Sequence, residues 1–256
     1  MNLDKTYHDI LDFEELQGLV PGYKKGEIVN IDDFELLRNL SEYGMVKVNF
    51  TITPKLLEYF GEIYEEMFAY NAALYSVTIS DGATSIGDNA FSTCPHLETV
   101  VIPESVVSIG SGAFESCSSL KHIKLPENLT EINSLTFARC FNLENIIIPP
   151  HVKFIGTNAF VNCREFTSIH IPESVREIEN FAFESCTRLE EVTIDSPLCS
   201  IGNNVFAFCP NLKRVYVPKG LVYTDYTFGK AQVIIKNTDL QESYKDIFEK
   251  IYKDIH

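Results

Sequence analysis

Positive charge is scarce in this chain, and long apolar runs are missing. Lysine and arginine total 21 against 36 aspartates and glutamates, a net charge of −15. A surface of that sign repels nucleic acid and anionic lipid, which argues against both as partners. The deficit is uneven. Residues 1–73 hold 14 acidic and 6 basic side chains, residues 74–233 hold 17 and 11, and the tail is nearly neutral. No stretch approaches the ~18 consecutive apolar residues of a membrane span. Residues 1–17 are polar and acidic, without the basic flank and apolar core of a secretory leader. A soluble, cytoplasmic protein is therefore expected.

Signatures of catalysis are missing too. The sequence has no P-loop, no G-x-G-x-x-G and no H-E-x-x-H. No CxxC pair occurs, and no histidine stands at ligand spacing from a cysteine, so no metal site is expected. Acidic pairs such as Asp32–Asp33 and Glu190–Glu191 suit a solvated surface better than acid–base chemistry. Nothing assembles a nucleophile, a base and an orienting group. The expectation is a chain without enzymatic activity and without a cofactor.

What the chain does have is a repeat. From Leu74 to Asn211 it repeats every 23 residues, six times, without an insertion. Cys94, Cys117, Cys140, Cys163, Cys186 and Cys209 mark the period, as do Phe91, Phe114, Phe137, Phe160, Phe183 and Phe206. A fixed period in this range means a solenoid, in which each unit buries its apolar edge only against its neighbours. Counting from Leu74 as phase 1, phases 1, 4 and 6 read L-x-x-V-x-I, a strand with alternate residues turned inward. Phase 7 is proline in five of seven units, which removes a ladder donor and ends the strand. A second inward pair follows: Val106, Leu129, Val152, Val175 and Leu198 at phase 10, and isoleucine from Ile86 to Ile201 at phase 13. Gly87, Gly110, Gly156 and Gly202 at phase 14 suit a left-handed or tight corner. Asn133 and Glu179 replace that glycine in two units, and Glu179 predicts a different turn in the fifth coil. The closing A-F-x-x-C predicts a helical turn on the convex side.

Seven cysteines are an odd number, and six share one phase. Stacked coils could bring neighbouring cysteines within bridging distance. Reduced thiols that act as small buried hydrophobes are the favoured reading. Cys199 lies off the ladder and is expected in a surface loop.

The stretches I-P-E-S-V-V-S-I-G-S-G-A-F-E-S-C-S-S-L (residues 102–120) and I-P-E-S-V-R-E-I-E-N-F-A-F-E-S-C-T-R-L (residues 171–189) resemble the BspA-like leucine-rich repeat family. The resemblance covers about residues 74–220. It implies an α/β solenoid, a right-handed leucine-rich repeat superhelix with a parallel sheet on its concave side. It also implies a binding role, as an adhesin or interaction module in bacteria and anaerobic protists.

The ends depart from the repeat, as an uncapped core requires. Residues 1–73 are expected to form an α+β N-terminal cap, residues 74–233 the repeats, and residues 234–256 a C-terminal helical cap. Thr53 and Pro54 form a helix start. Leu56, Phe60, Ile63 and Met67 share one helical face and predict a helix over 54–71. Residues 45–52 alternate like a strand, and residues 32–40 read as a short helix. Residues 233–235 predict a last strand. Thr238 and Gln241 form a capping-box pattern before an amphipathic helix carrying Tyr244, Ile247, Phe248, Ile251 and Tyr252.

The concave sheet is the candidate site. Its outward phases 3 and 5 carry Ser76 and Thr78, then Thr99 and Val101, His122 and Lys124, Asn145 and Ile147, Ser168 and His170, Glu191 and Thr193, and Arg214 and Tyr216. These positions are free of core duty. Val101 and Ile147 are expected to offer open apolar contacts, and Arg214 and Tyr216 are residue types favoured at interface hot spots. His122 and His170 sit two coils apart, roughly 10 Å, too far to share a metal without another ligand. The function expected is a module that binds a protein partner on this face, as a monomer or within a hetero-complex. The alternatives are a secreted or surface adhesin and, more weakly, a small enzyme or regulatory domain in residues 1–73.

Overall fold

The repeat folds as stacked coils whose like phases lie over one another. The computed structural model describes residues 20, 27–41, 46–224 and 226–236. In chain order the elements are β1 (Ile28–Ile31), α1 (Phe34–Ser41), β2 (Lys47–Ile52), α2 (Pro54–Phe60), β3 (Leu74–Ile79), β4 (Ser85–Ile86), β5 (Thr99–Val101), β6 (Ser108–Ile109), β7 (His122–Ile123) and β8 (Glu131–Ile132). They continue with β9 (Phe154–Ile155), β10 (Ser168–Ile171), β11 (Glu177–Ile178), β12 (Glu191–Ile194), β13 (Ser200–Ile201), β14 (Arg214–Val217) and β15 (Gln232–Ile235). Two parallel ladders result. One runs β1-β2-β3-β5-β7 and resumes as β10-β12-β14-β15; the other runs β4-β6 and β8-β9-β11-β13. Register follows the repeat, with Val77 opposite Val100, Val100 opposite Ile123, and Val192 between Ile169 and Val215.

The third side of each coil differs from the expected helical turn. The N–H groups of Asn89, Phe91 and Thr93 donate to the carbonyls of Ser111, Ala113 and Glu115 in the next coil, at 2.6–2.8 Å. Between them, Ala90 and Ser92 donate three residues back, to Gly87 and Asn89. Phases 16 and 20 take positive φ in every full coil: Asn89, Gly112, Leu135, Asn158, Phe181 and Asn204, then Thr93, Ser116, Arg139, Asn162, Ser185 and Phe208. The left-handed residues break the helical path and send alternate donors toward the neighbouring coil.

The phase-14 glycines have a different purpose from the one expected. Their φ values are not positive. They stand where coils touch: a Cβ on Gly110 would lie 2.5 Å from the Asp88 nitrogen, and one on Gly156 2.5 Å from that of Ser134. Glu179 does not turn its coil differently. Its N–H donates to Ile155 at 2.8 Å, as Gly156 donates to Ile132. The Glu179 carboxylate accepts from the Thr157 N–H and hydroxyl at 2.8 and 2.7 Å.

Inside the coils, each phenylalanine stacks on its own copy. Phe68, Phe91, Phe114, Phe137, Phe160, Phe183 and Phe206 form a column with centroids 5.0–5.6 Å apart and planes within 10°. Offset stacking of this kind adds about 0.5–1.5 kcal/mol per pair beyond area burial. Beside it, each ladder cysteine donates its S–H to a phenylalanine carbonyl of the preceding coil, from Cys94 to Phe68 at 3.2 Å through Cys209 to Phe183 at 3.3 Å. Desolvation pushes the thiols of Cys117, Cys140, Cys163 and Cys186 up, and that of Cys209 to about 11, which is the opposite of what a nucleophile requires.

The helix expected over 54–71 ends at Phe60. Thr53 caps it and Pro54 opens it, but Gly61 takes φ 79° and returns its N–H to Leu57. The chain then enters coil geometry ahead of the recognised repeat. Ile63 bridges to Ile86, Phe68 stacks on Phe91, and Glu66 and Tyr70 take positive φ. The helix expected over 32–40 is present as α1, with the Asp33 carboxylate accepting from the Leu36 N–H. The strands expected over 45–52 and 233–235 are β2 and β15. The C-terminal capping helix lies outside the described residues.

The sixth coil also departs from expectation. Leu198 is 72% exposed, whereas Cys199, expected at the surface, is buried. Asp195 replaces the phase-7 proline, and its N–H extends the ladder to Ile171. The turn comes late, so phase 11 takes the inward place of phase 10.

Replacing Phe137 with alanine opens a cavity in the middle of the column. Chemical denaturation should show a loss of about 3–5 kcal/mol, with the transition midpoint lowered.

Candidate protein-binding surface

The outward phases of the first ladder do lie together, because strand side chains alternate and the register repeats without slipping. Thr78 faces Val101, Thr99 faces His122, Ser168 faces Glu191 and then Arg214, and His170 faces Thr193 and then Tyr216. Thr78, Thr99, Lys124, Ser168 and Arg214 are exposed; Ser76, His122, Asn145, His170, Glu191, Thr193 and Tyr216 are half-buried. Val101 is 58% exposed, as expected of an open apolar contact. Ile147 is not: it is 9% exposed. No strand is assigned over residues 145–148, which splits the ladder between β7 and β10. At ~4.8 Å per coil, Ile147 stands in the coil between those of Lys124 and His170.

Charge on this face is largely paired along the solenoid axis. Lys124 meets Glu104 at 2.7 Å, Arg214 meets Glu191, and His122 approaches Glu144 at 3.9 Å. Its bond to Lys124 lowers the carboxyl of Glu104, against a smaller opposing effect of burial. Such exposed pairs add little to stability, because water screens them. The histidines do not come together on a metal. Among the described residues no cluster of three potential ligands forms.

One group here was not anticipated. Asp195 holds His170 Nε2 at 2.5 Å through one oxygen and Lys236 Nζ at 2.6 Å through the other. Burial raises the Asp195 carboxyl, but the bonds and charges of His170 and Lys236 outweigh it and leave it below its usual value. The available signal was aspartate at a phase held by proline in five of seven units.

A family model described as "BspA type Leucine rich repeat region (6 copies)" matches residues 48–165 and 130–256. The chain belongs to this family, whose repeat points to a protein-interaction or adhesin-like module; its members are typically non-enzymatic. Among solved structures, the chain is similar to a Treponema (T. pallidum) leucine-rich repeat protein, at 30% identity and TM-score 0.55, over 59% of this chain and 71% of that one. A leucine-rich repeat protein from Bacteroides ovatus matches at 23% identity and TM-score 0.36, over 82% and 84%. A leucine-rich cell surface protein from Faecalibacterium prausnitzii matches at 20% and 0.41, over 86% and 85%. No curated protein matches the sequence significantly.

Because the Asp195 carboxyl is lowered on folding, its contribution is full above the ordinary aspartate value of ~3.9 and is lost as pH falls through the lowered one. Asp195→Asn should cost about 1 kcal/mol at neutral pH, modest because the pair is partly exposed. It should also flatten the acid side of the stability profile, measured by thermal unfolding between neutral pH and the acid limb.

Proposed function

We propose that this member of the BspA-type leucine-rich repeat family is a non-enzymatic interaction module that holds a protein partner on the outward face of its first ladder. The observation that carries the reading is Val101, 58% exposed in a parallel ladder with Thr78 beside it in register. These side chains support no core contact, while inward neighbours such as Val100 and Ile102 are buried. A surface built on stacked strands is rigid before the partner arrives, which lowers the ordering cost of binding. Tyr216 and Arg214 extend the surface toward its far end, where aromatic and guanidinium groups favour strong contacts. The thiols that donate to backbone carbonyls support a reducing, intracellular setting.

The test is affinity capture from source lysate with wild type beside the double variant Val101→Asp, Tyr216→Ala, first shown to unfold at the wild-type temperature. A partner recovered by wild type and depleted at least tenfold by the variant supports the surface. Equal recovery by both places binding elsewhere on the chain. Recovery only from extracellular matrix fractions favours an adhesin.

A further inference from the structure

Several cations on this acidic protein are matched with carboxylates, as Lys121 is with Glu98, Arg139 with Glu115 and Lys213 with Glu190. Lys153 and Arg176 are two cations that are not, and they stand together. They occupy phase 11 of successive coils, about 5 Å apart along the axis. Among the described residues, no carboxylate pairs with either. Both line a groove of about 510 Å³, with His151, Asn128, Thr130, Ser174 and Pro150 completing its wall. No acidic side chain lines it.

The lining is organised for an anion. Arg176 Nη1 donates to the Glu173 carbonyl at 2.6 Å and to Ser196 Oγ at 3.1 Å. Those bonds hold the guanidinium in place and leave its remaining nitrogens for a ligand, in the fork geometry that matches an oxyanion. Lys153 adds a point charge, and Asn128 and Thr130 add neutral donors. The buried Ser174 hydroxyl, on the same wall, has no hydrogen-bond partner. A net charge of −15 opposes any extended polyanion at long range. A compact group, bound by short contacts, is the anion that fits.

We propose that this groove, at the corner between the two ladders and apart from the face assigned above, binds a tetrahedral oxyanion carried as a phosphate or sulfate monoester. The test is isothermal titration of the full chain with phenyl phosphate and with phenyl sulfate, using wild type, Lys153→Ala and Lys219→Ala. Lys153 makes no side-chain contact on which the fold depends. Lys219 is an exposed cation outside the groove and controls for general charge. Wild type should bind at one site, Lys153→Ala about tenfold more weakly, and Lys219→Ala unchanged. Preference between the two esters then identifies the source, and equal affinity means recognition by charge and shape. No saturable binding of either ester, or equal weakening in both variants, overturns the proposal.

Discussion

Every coil of this protein depends on one constraint: its apolar edge has no cover except the matching edge of the next coil. That requirement enforces an unslipped 23-residue register, and the register stacks each side chain on its own copy. The phenylalanine column is the plainest result, with ring planes nearly parallel through seven coils. The cysteine ladder is its companion, each S–H spent on a carbonyl of the coil before. Residues with positive φ at phases 16 and 20 let backbone donors cross between coils on the side where strands do not form.

The same constraint separates structure from recognition. Inward phases repeat because each must fit its neighbour's volume. Outward phases answer to no such condition, so Thr99, His122, Asn145, Ser168, Glu191 and Arg214 can differ while the ladder beneath stays constant. Much of the outward charge cancels between successive coils, as with Lys213 and Glu190. Among the described residues, Lys153 and Arg176 stand without a carboxylate partner and line one groove together. Asp195 links the ladder to Lys236 in the segment that follows β15.

The period made the fold legible, since leucine, valine, isoleucine, phenylalanine and cysteine recur at fixed spacing. Three details were not legible, each for a physical reason. The phase-14 glycines look like corner residues, but what they avoid is a clash with the coil behind, which only stacking reveals. The face of Leu56, Phe60, Ile63 and Met67 has helical spacing, yet Gly61 ends the helix. Ile63 and Phe68 already stand 23 residues before Ile86 and Phe91. Leu198 and Cys199 exchange places because the turn after Asp195 falls one phase later than in the coil before. At the candidate surface, the sequence located the outward phases and the open Val101. It did not disclose the burial of Ile147, or the bond between His170 and Asp195, which joins residues in different coils.

Site-resolved amide hydrogen exchange tests the coil-to-coil backbone ladder most directly. Protection approaching that of global unfolding should recur at phases 16, 18 and 20, including Gly112, Phe114 and Ser116, then Leu135, Phe137 and Arg139. Fast exchange at those phases, or protection without a 23-residue recurrence, would contradict the stacking on which the whole account rests.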